Sequence, residues 1–343
     1  MTNIFYDLPH ETQSRHLQQL AREALRHWNI DERADLELIK YRENAVFKVV
    51  DPADEQRYVI RVHRAGYHSD LELRSELQWM QALTSAGVLT PDMVLTVTAG
   101  LFQTVQFEKV PEPRQCDVQR WIEGQPLGSI EGDGTDDVAS MLQNYRIVGA
   151  LQAKLHSHSE RWSMPEGFER HSWDVAGMFG ATPFWGDFRE LETLRGDQLE
   201  TVLQAREKLI VTLADFGQTR DRYGLIHADF LPENLIVGEG GIRLIDFDDS
   251  GFGWYMFDLA TSLFYHLGEA YFEDLKQSLI EGYRSERDLS DAHVDMLPAF
   301  LLARGITYLS WLHTRKETET AQTMGGAIIA SVVAQANDYL LSP

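Results

Sequence analysis

The stretch LIHADFLPENLIV, residues 225–237, places His227, Asp229, Glu233 and Asn234 inside an apolar frame. The Leu, Ile and Val residues at its two ends have the composition of buried strands, so the polar middle reads as a loop gripped from both sides. Its sequel, GIRLIDFDDS at 241–250, repeats the apolar pattern and ends in acids. With GEGG at 238–241 supplying the turn, the two runs read as a β-hairpin. Centred on Gly240, this hairpin sets Asn234 opposite Asp246, with about 4.5–5.5 Å between their Cα atoms. An amide oxygen and a carboxylate at that separation suit Mg²⁺, which accepts one or two protein ligands and takes substrate phosphates. Asp229 lies on the loop leading into the hairpin and adds a further acid at the same place.

Phosphoryl transfer needs these parts: a carboxylate to position the acceptor and two ligands for the metal. The spacing H-x-D-x-x-x-x-N, followed by D-F-D with its first acid twelve residues beyond the asparagine, supplies them.

Outward from this stretch the period of the sequence changes twice. Residues 11–28 have helical spacing, whereas LELIKYR, AVFKVVD and RYVIRVHR between 36 and 64 read as an antiparallel meander. A helix is expected over about 70–86, closed by Gly87, with short strands resuming to about 122. Beyond EGQPL the chain is mostly helical in period, which leaves the hairpin as an isolated strand pair. The apolar run 296–312 is interrupted by Arg304 and Gly305 and reads as a buried helix, not a membrane span. EGDGTDD at 131–137 lacks the register of a calcium loop and reads as a polar loop before a helix. His156 and His158 have a poor spacing for a metal and point to a core or capping role.

HADFLPEN, IDFDD and the later DLA at 258–260 together resemble the kinase-like phosphotransferase family that includes aminoglycoside phosphotransferases, choline kinases, type II homoserine kinases and a bacterial stress-related kinase. The resemblance spans about residues 36–320. It implies an α+β, two-lobed protein-kinase-like fold: a small antiparallel-sheet N-lobe with one main helix within 1–122, and a larger, mostly helical C-lobe over 123–343. It also implies ATP as donor, Asp229 as catalytic base, Asn234 and Asp246 as Mg²⁺ ligands, and His227 and Asp258 as braces of the catalytic loop. Asp248 is a candidate for meeting an ammonium group of the acceptor or for an outer contact to the metal.

On the nucleotide side, protein kinases pair a strand lysine with a helix glutamate. Here Arg61 stands in the lysine's place, on the same strand face as Val59 and His63. Its partner is Glu72 or Glu76, and Glu76 lies nearer the buried stripe of Leu73, Leu77 and Met80. No G-x-G-x-x-G is present. The turn YRENAV at 41–46 takes its place, with Asn44 and backbone amides as the implied phosphate contacts and Lys48 adding positive potential. VQRWIEG at 118–124 resembles the interlobe hinge, where Trp121 and Ile122 would line the adenine pocket. The acceptor pocket falls to the helical lobe, with aromatic pieces at 177–188 and 308–312 as candidates.

Composition sets the outer bounds. A formal charge of −22 over 343 residues excludes a broad polyanion partner such as nucleic acid. It would attract a cationic acceptor, although a solvated acidic surface explains the same charge. The single cysteine, Cys116, and a start without a basic or an apolar leader region point to a cytoplasmic protein with no membrane anchor. The function expected is an ATP-dependent kinase acting on a hydroxyl of a small molecule: an amino alcohol, a hydroxylated amino acid or an aminoglycoside. A serine/threonine protein kinase of the stress-related type shares every motif quoted. A nucleotide-binding pseudokinase scaffold is disfavoured by the intact Asp229, Asn234 and Asp246. Oligomeric state stays open.

Overall fold

The computed structural model describes residues 5–128 and 137–342. Contacts divide the chain into two compact units, Met1–Glu123 with Pro165–Glu169, and Gly124–Met164 with Arg170–Pro343.

The first unit opens with α1 (His10–Ala24), which turns its Leu17, Leu20, Ala21 and Ala24 inward. The meander follows as β1 (Asp35–Tyr41), β2 (Ala45–Val50) and β3 (Arg57–Val62). After α2 (Asp70–Ser85) come β4 (Met93–Val94), β5 (Phe102–Val105) and β6 (Arg114–Arg120). The sheet is antiparallel in the order β1-β2-β3-β6-β4, with β5 also paired to β6. Fully buried Phe47, Val49, Ile60 and Val118 form a core with Leu20 and Leu25, and each such side chain contributes about 1.5–3 kcal/mol through burial. A capping box starts α2: Ser69 Oγ accepts from Glu72 N–H, and the Glu72 carboxylate accepts from Ser69 N–H. Leu73, Leu77, Met80 and Leu83 then recur at helical spacing and are fully buried.

The second unit begins with β7 (Gln125–Pro126). Residues 131–136 of the EGDGTDD segment lie outside the described residues, and Asp137 caps α3 (Val138–Arg161). Then follow β8 (Ser172–Trp173), α4 (Val175–Phe179), α5 (Asp197–Phe216), β9 (Tyr223–Ile226), β10 (Leu235–Gly238), β11 (Gly241–Leu244), β12 (Gly251–Trp254), α6 (Tyr255–Leu263), α7 (Phe272–Arg284), α8 (Asp291–Val294), α9 (Leu297–Thr314) and α10 (Glu319–Leu341). Helices α3 and α7 meet through glycines. A Cβ on Gly149 would lie 2.0 Å from the Leu279 carbonyl oxygen, and one on Gly282 would lie 1.9 Å from that of Arg146. Helix α9 is buried nearly all round, as its apolar run predicts. Among the described residues no helix is long and apolar enough to cross a membrane.

Two expectations about the strands need correction. The hairpin pairs Leu235 with Leu244 and Gly238 with Gly241, leaving Glu239 and Gly240 as a two-residue loop. Its centre falls between those two residues and not on Gly240, so Asn234 stands opposite Ile245, whose N–H donates to the Asn234 carbonyl at 2.9 Å. Asp246 lies one position beyond. Nor is the pair isolated: β10 also takes β7 on its free edge, and Leu225 and Ile226 belong to a separate sheet in the order β8-β12-β9. The polar residues of the opening stretch therefore carry the chain from one sheet to another.

Candidate active site

The polar loop of the opening stretch leaves β9 at His227 and is tied from below by Asp258. Its Oδ2 accepts from His227 N–H at 3.0 Å and its Oδ1 from Ala228 N–H at 2.6 Å. His156 Nε2 donates to Oδ2 at 3.0 Å, while its Nδ1 meets the Tyr283 hydroxyl at 2.9 Å. His156 thus has the core role its spacing suggested. Ala228 is held at φ +64°, a backbone state that non-glycine residues adopt rarely. His227 Nδ1 accepts from Asp229 N–H at 3.2 Å, and its Nε2 donates to the Ile245 carbonyl at 3.1 Å.

Asp229 is gripped on both oxygens. Asn234 Nδ2 donates to Oδ2 at 2.8 Å and to the Asp229 carbonyl at 3.0 Å. Arg304 Nη2, from the middle of α9, donates to Oδ1 at 3.0 Å. With its Nδ2 committed to Asp229, Asn234 has its Oδ1 left as a hard oxygen donor. Burial pushes the Asp229 carboxyl up, the Arg304 guanidinium pulls it down, and Asp249, Asp246 and Glu233 push it up again, to about 8. Three other acids therefore act on the Asp229 carboxyl in the same direction as burial.

Asp246 also has a positive φ, +64°. The residues after it are pinned through their carbonyls. Arg170 donates through Nε to Ser250 O at 2.6 Å and through Nη2 to Asp248 O at 2.6 Å, while Trp173 Nε1 reaches Asp249 O at 2.8 Å. Trp185 Nε1 donates to the Asp249 carboxylate at 3.1 Å. Asp248 is buried.

In the first unit, Arg61 is buried between two carboxylates. Its Nη2 donates to Glu76 at 2.8 Å and its Nε to Asp117 at 2.9 Å. Asp117 also meets His63 Nε2 at 2.6 Å. Burial pushes Asp117 up, but Arg61 and His63 outweigh it and hold the carboxyl below its ordinary value. Glu72 is engaged in the capping box, whereas Glu76 faces Arg61. Asn44 Oδ1 accepts from Arg64 N–H at 2.9 Å and so fixes the turn before β2. Lys48 Nζ lies 4.7 Å from the centre of the Trp121 ring, and Ile122 is half-buried beside Trp121 in the chain.

Asp117 and Arg170 carry no site signal in the sequence, and Arg304 shows there only as an interruption of an apolar run. Asp117 lies opposite Arg61 in the β3–β6 register, a pairing that becomes visible only once the strand order is known. The S-x-x-E pattern at 69–72 is a sequence signal that separates Glu72 from Glu76.

The sequence model of the phosphotransferase enzyme family matches residues 35–292. The chain belongs to that family. Amicoumacin kinase of Bacillus subtilis (strain 168) is 23% identical over 298 residues, 81% of this chain and 80% of that protein. Among solved structures, a microcompartment-associated aminopropanol kinase is 33% identical, with a TM-score of 0.83 over 94% of this chain and 97% of its own. An amicoumacin kinase solved in complex with AMP-PNP, Ca²⁺ and Ami is 19% identical, with a TM-score of 0.75 over 97% of this chain and 96% of its own, and shares the fold.

Proposed function

We propose that this phosphotransferase is a cytoplasmic, ATP- and Mg²⁺-dependent kinase that phosphorylates the hydroxyl of a small amino alcohol. Phosphoryl transfer is the activity the family's description names. The amino-alcohol assignment is supported by the 33% identity to an aminopropanol kinase across 94% of this chain. The relatives act on small molecules, which favours this reading over a protein substrate.

The observation that carries the chemistry is the Asp229 carboxylate clamped by Asn234 and Arg304 amid other acids. We assign Asp229 as the base that orients the acceptor hydroxyl and takes its proton. Asn234 Oδ1 and the Asp246 carboxylate are hard oxygen donors of the kind a divalent cation takes, and such a cation would offset the push of Asp249, Asp246 and Glu233 on Asp229. When bound, Mg²⁺ supplies charge neutralisation at the transferring phosphate. His227 and Asp258 hold the loop. Asp248 and Asp249 are candidate contacts for the ammonium group of the acceptor. Nucleotide contacts are assigned to the first unit: Asn44 at the turn, Arg61 braced by Glu76, and Trp121 with Ile122 for the base.

The test is ATP-dependent ADP release over a panel of amino alcohols, hydroxylated amino acids and aminoglycosides, with a generic protein substrate beside them. Asp229→Asn is expected to abolish transfer while ATP binding is kept. Unchanged turnover by Asp229→Asn would remove the base assignment, and turnover on the protein substrate alone would overturn the acceptor class.

A further inference from the structure

Arg304 is a cation at full burial, 0% exposed, in the middle of α9, where it is the one charged residue among the buried ones. Removing a guanidinium from water costs several kcal/mol unless partners compensate. Its partners are few and specific. One nitrogen, Nη2, donates both to Asp229 Oδ1 at 3.0 Å and to the Tyr308 hydroxyl at 2.8 Å. Nε and Nη1 are buried without a hydrogen bond among the described residues. In place of hydrogen bonds the guanidinium has aromatic faces: its carbon lies 4.2 Å from the ring centre of Tyr308, 4.8 Å from that of Trp185 and 5.5 Å from that of Phe257. Trp185 is itself fixed by its bond to the Asp249 carboxylate. The cation is therefore held by ring faces, and its one bonding nitrogen points at the base.

We propose that Arg304 is a positioning residue for phosphoryl transfer, which stacks in an aromatic box and fixes the plane of the Asp229 carboxylate against the acceptor hydroxyl. The proposal rests on the kinase reading above. A carboxylate offers about four lone-pair directions. Asn234 takes one on Oδ2 and Arg304 one on Oδ1, which locks rotation about the Cβ–Cγ bond and leaves the remaining directions for the acceptor. A planar guanidinium is suited to this task, because it stacks on rings through its faces while bonding through its edge. An ammonium in the same box would lack the defined edge.

The experiment compares wild type, Arg304→Met, Arg304→Ala, Arg304→Lys and Asp229→Asn with 1-amino-2-propanol as acceptor, following kcat and KM with thermal unfolding alongside. Misorientation of a reacting group costs on the order of 100-fold in rate, so kcat of Arg304→Met is expected to fall about 100-fold, with KM for ATP and acceptor held within about threefold. Arg304→Ala leaves a ring-walled space, and added guanidinium at non-denaturing concentration is expected to restore its kcat at least about tenfold where NaCl of equal strength does not. A purely structural arginine gives no such rescue of kcat. Wild-type rates in Arg304→Met, or a folded Arg304→Ala that guanidinium does not rescue, overturn the proposal. If both variants fail to fold, Arg304→Lys decides: a loss of about tenfold in kcat at unchanged KM supports it, and full activity overturns it. A wild type inactive on 1-amino-2-propanol and on every other acceptor of the panel above, or Asp229→Asn matching wild type, shows instead that the kinase reading itself has failed and takes the role of Arg304 with it; activity on another acceptor of the panel moves the same comparison to that acceptor.

Discussion

Replacing Asp258 by asparagine tests the brace beneath the loop that carries Asp229. The wild-type carboxylate is fully buried and takes three donors, Ala228 N–H at 2.6 Å and His227 N–H and His156 Nε2 at 3.0 Å each. Asparagine has nearly the same shape but presents one oxygen and one NH₂. Turned one way the NH₂ faces Ala228 N–H, and turned the other way it faces His227 N–H. In either orientation a buried amide loses its acceptor and meets a donor. A hydrogen bond to a charged group contributes about 1.5–3 kcal/mol, and a stranded buried amide costs about 1–3 kcal/mol; with the two partly overlapping, the loop loses about 3 kcal/mol. That corresponds to about 100-fold more frequent opening. Ala228 makes release easier, since holding φ +64° stores on the order of 1 kcal/mol. Amide hydrogen exchange over 223–234 reads the opening, and steady-state kinetics read the consequence. Protection of Ala228 is expected to fall about 100-fold, and kcat at least about tenfold with KM for ATP little changed. If protection and kcat both stay within about twofold of wild type, the carboxylate is not what holds this loop.

The α3–α7 crossing gives a contrast between two glycines. Gly149→Ala drives a Cβ to 2.0 Å from a backbone carbonyl, whereas a Cβ on Gly326 in α10 meets nothing within 4 Å; thermal unfolding should show the first destabilised by about 2 kcal/mol and the second stabilised by about 0.5–1 kcal/mol. His266, bonded to Tyr145, is lowered to about 4 by burial. Its folded value lies below its unfolded one, so its contribution is complete above about pH 6.5 and is lost as pH falls toward 4. Between pH 7 and pH 5 the wild type should lose about 2 kcal/mol more than His266→Gln in denaturant titrations, and equal losses would remove the burial argument.

Much of the first unit is legible because its strands carry their own signals. AVFKVV and RYVIRV are β-branched runs bounded by turn residues, and they appear as β2 and β3. The second unit is less so. GFGW at 251–254 is half glycine, which weakens its strand signal, yet it is the central strand of its sheet. A Cβ on Gly253 would lie 2.4 Å from Ile226 Cδ1, so the glycine admits the side chain of the neighbouring strand. That close fit is a tertiary fact without a local signature. The site divides the same way. Asp229, Asn234 and Asp246 are close in sequence and follow a spacing, whereas Arg304 comes 75 residues after Asp229 and reads locally as an interruption of an apolar helix. Charge within an apolar run is the one sequence sign that it has a buried partner.

The histidine that opens the polar loop joins the two acid-bearing segments. Its Nδ1 accepts from Asp229 N–H and its Nε2 donates to Ile245 O, the residue before Asp246. Only a neutral ring with its proton on Nε2 satisfies both bonds, because a proton on Nδ1 would face the Asp229 amide. Asparagine carries the same two functions but is too short to span from the loop to the second strand of the hairpin. Ala228 and Asp246 each hold an unfavourable positive φ, and each is adjacent to a segment this imidazole touches. The strain at either position is thus opposed by one ring, and the backbone that presents Asp229 is set by the same bonds as the backbone that presents Asp246. Moving one acid without the other would require that ring to give up a bond in a fully buried place, at about 1–3 kcal/mol.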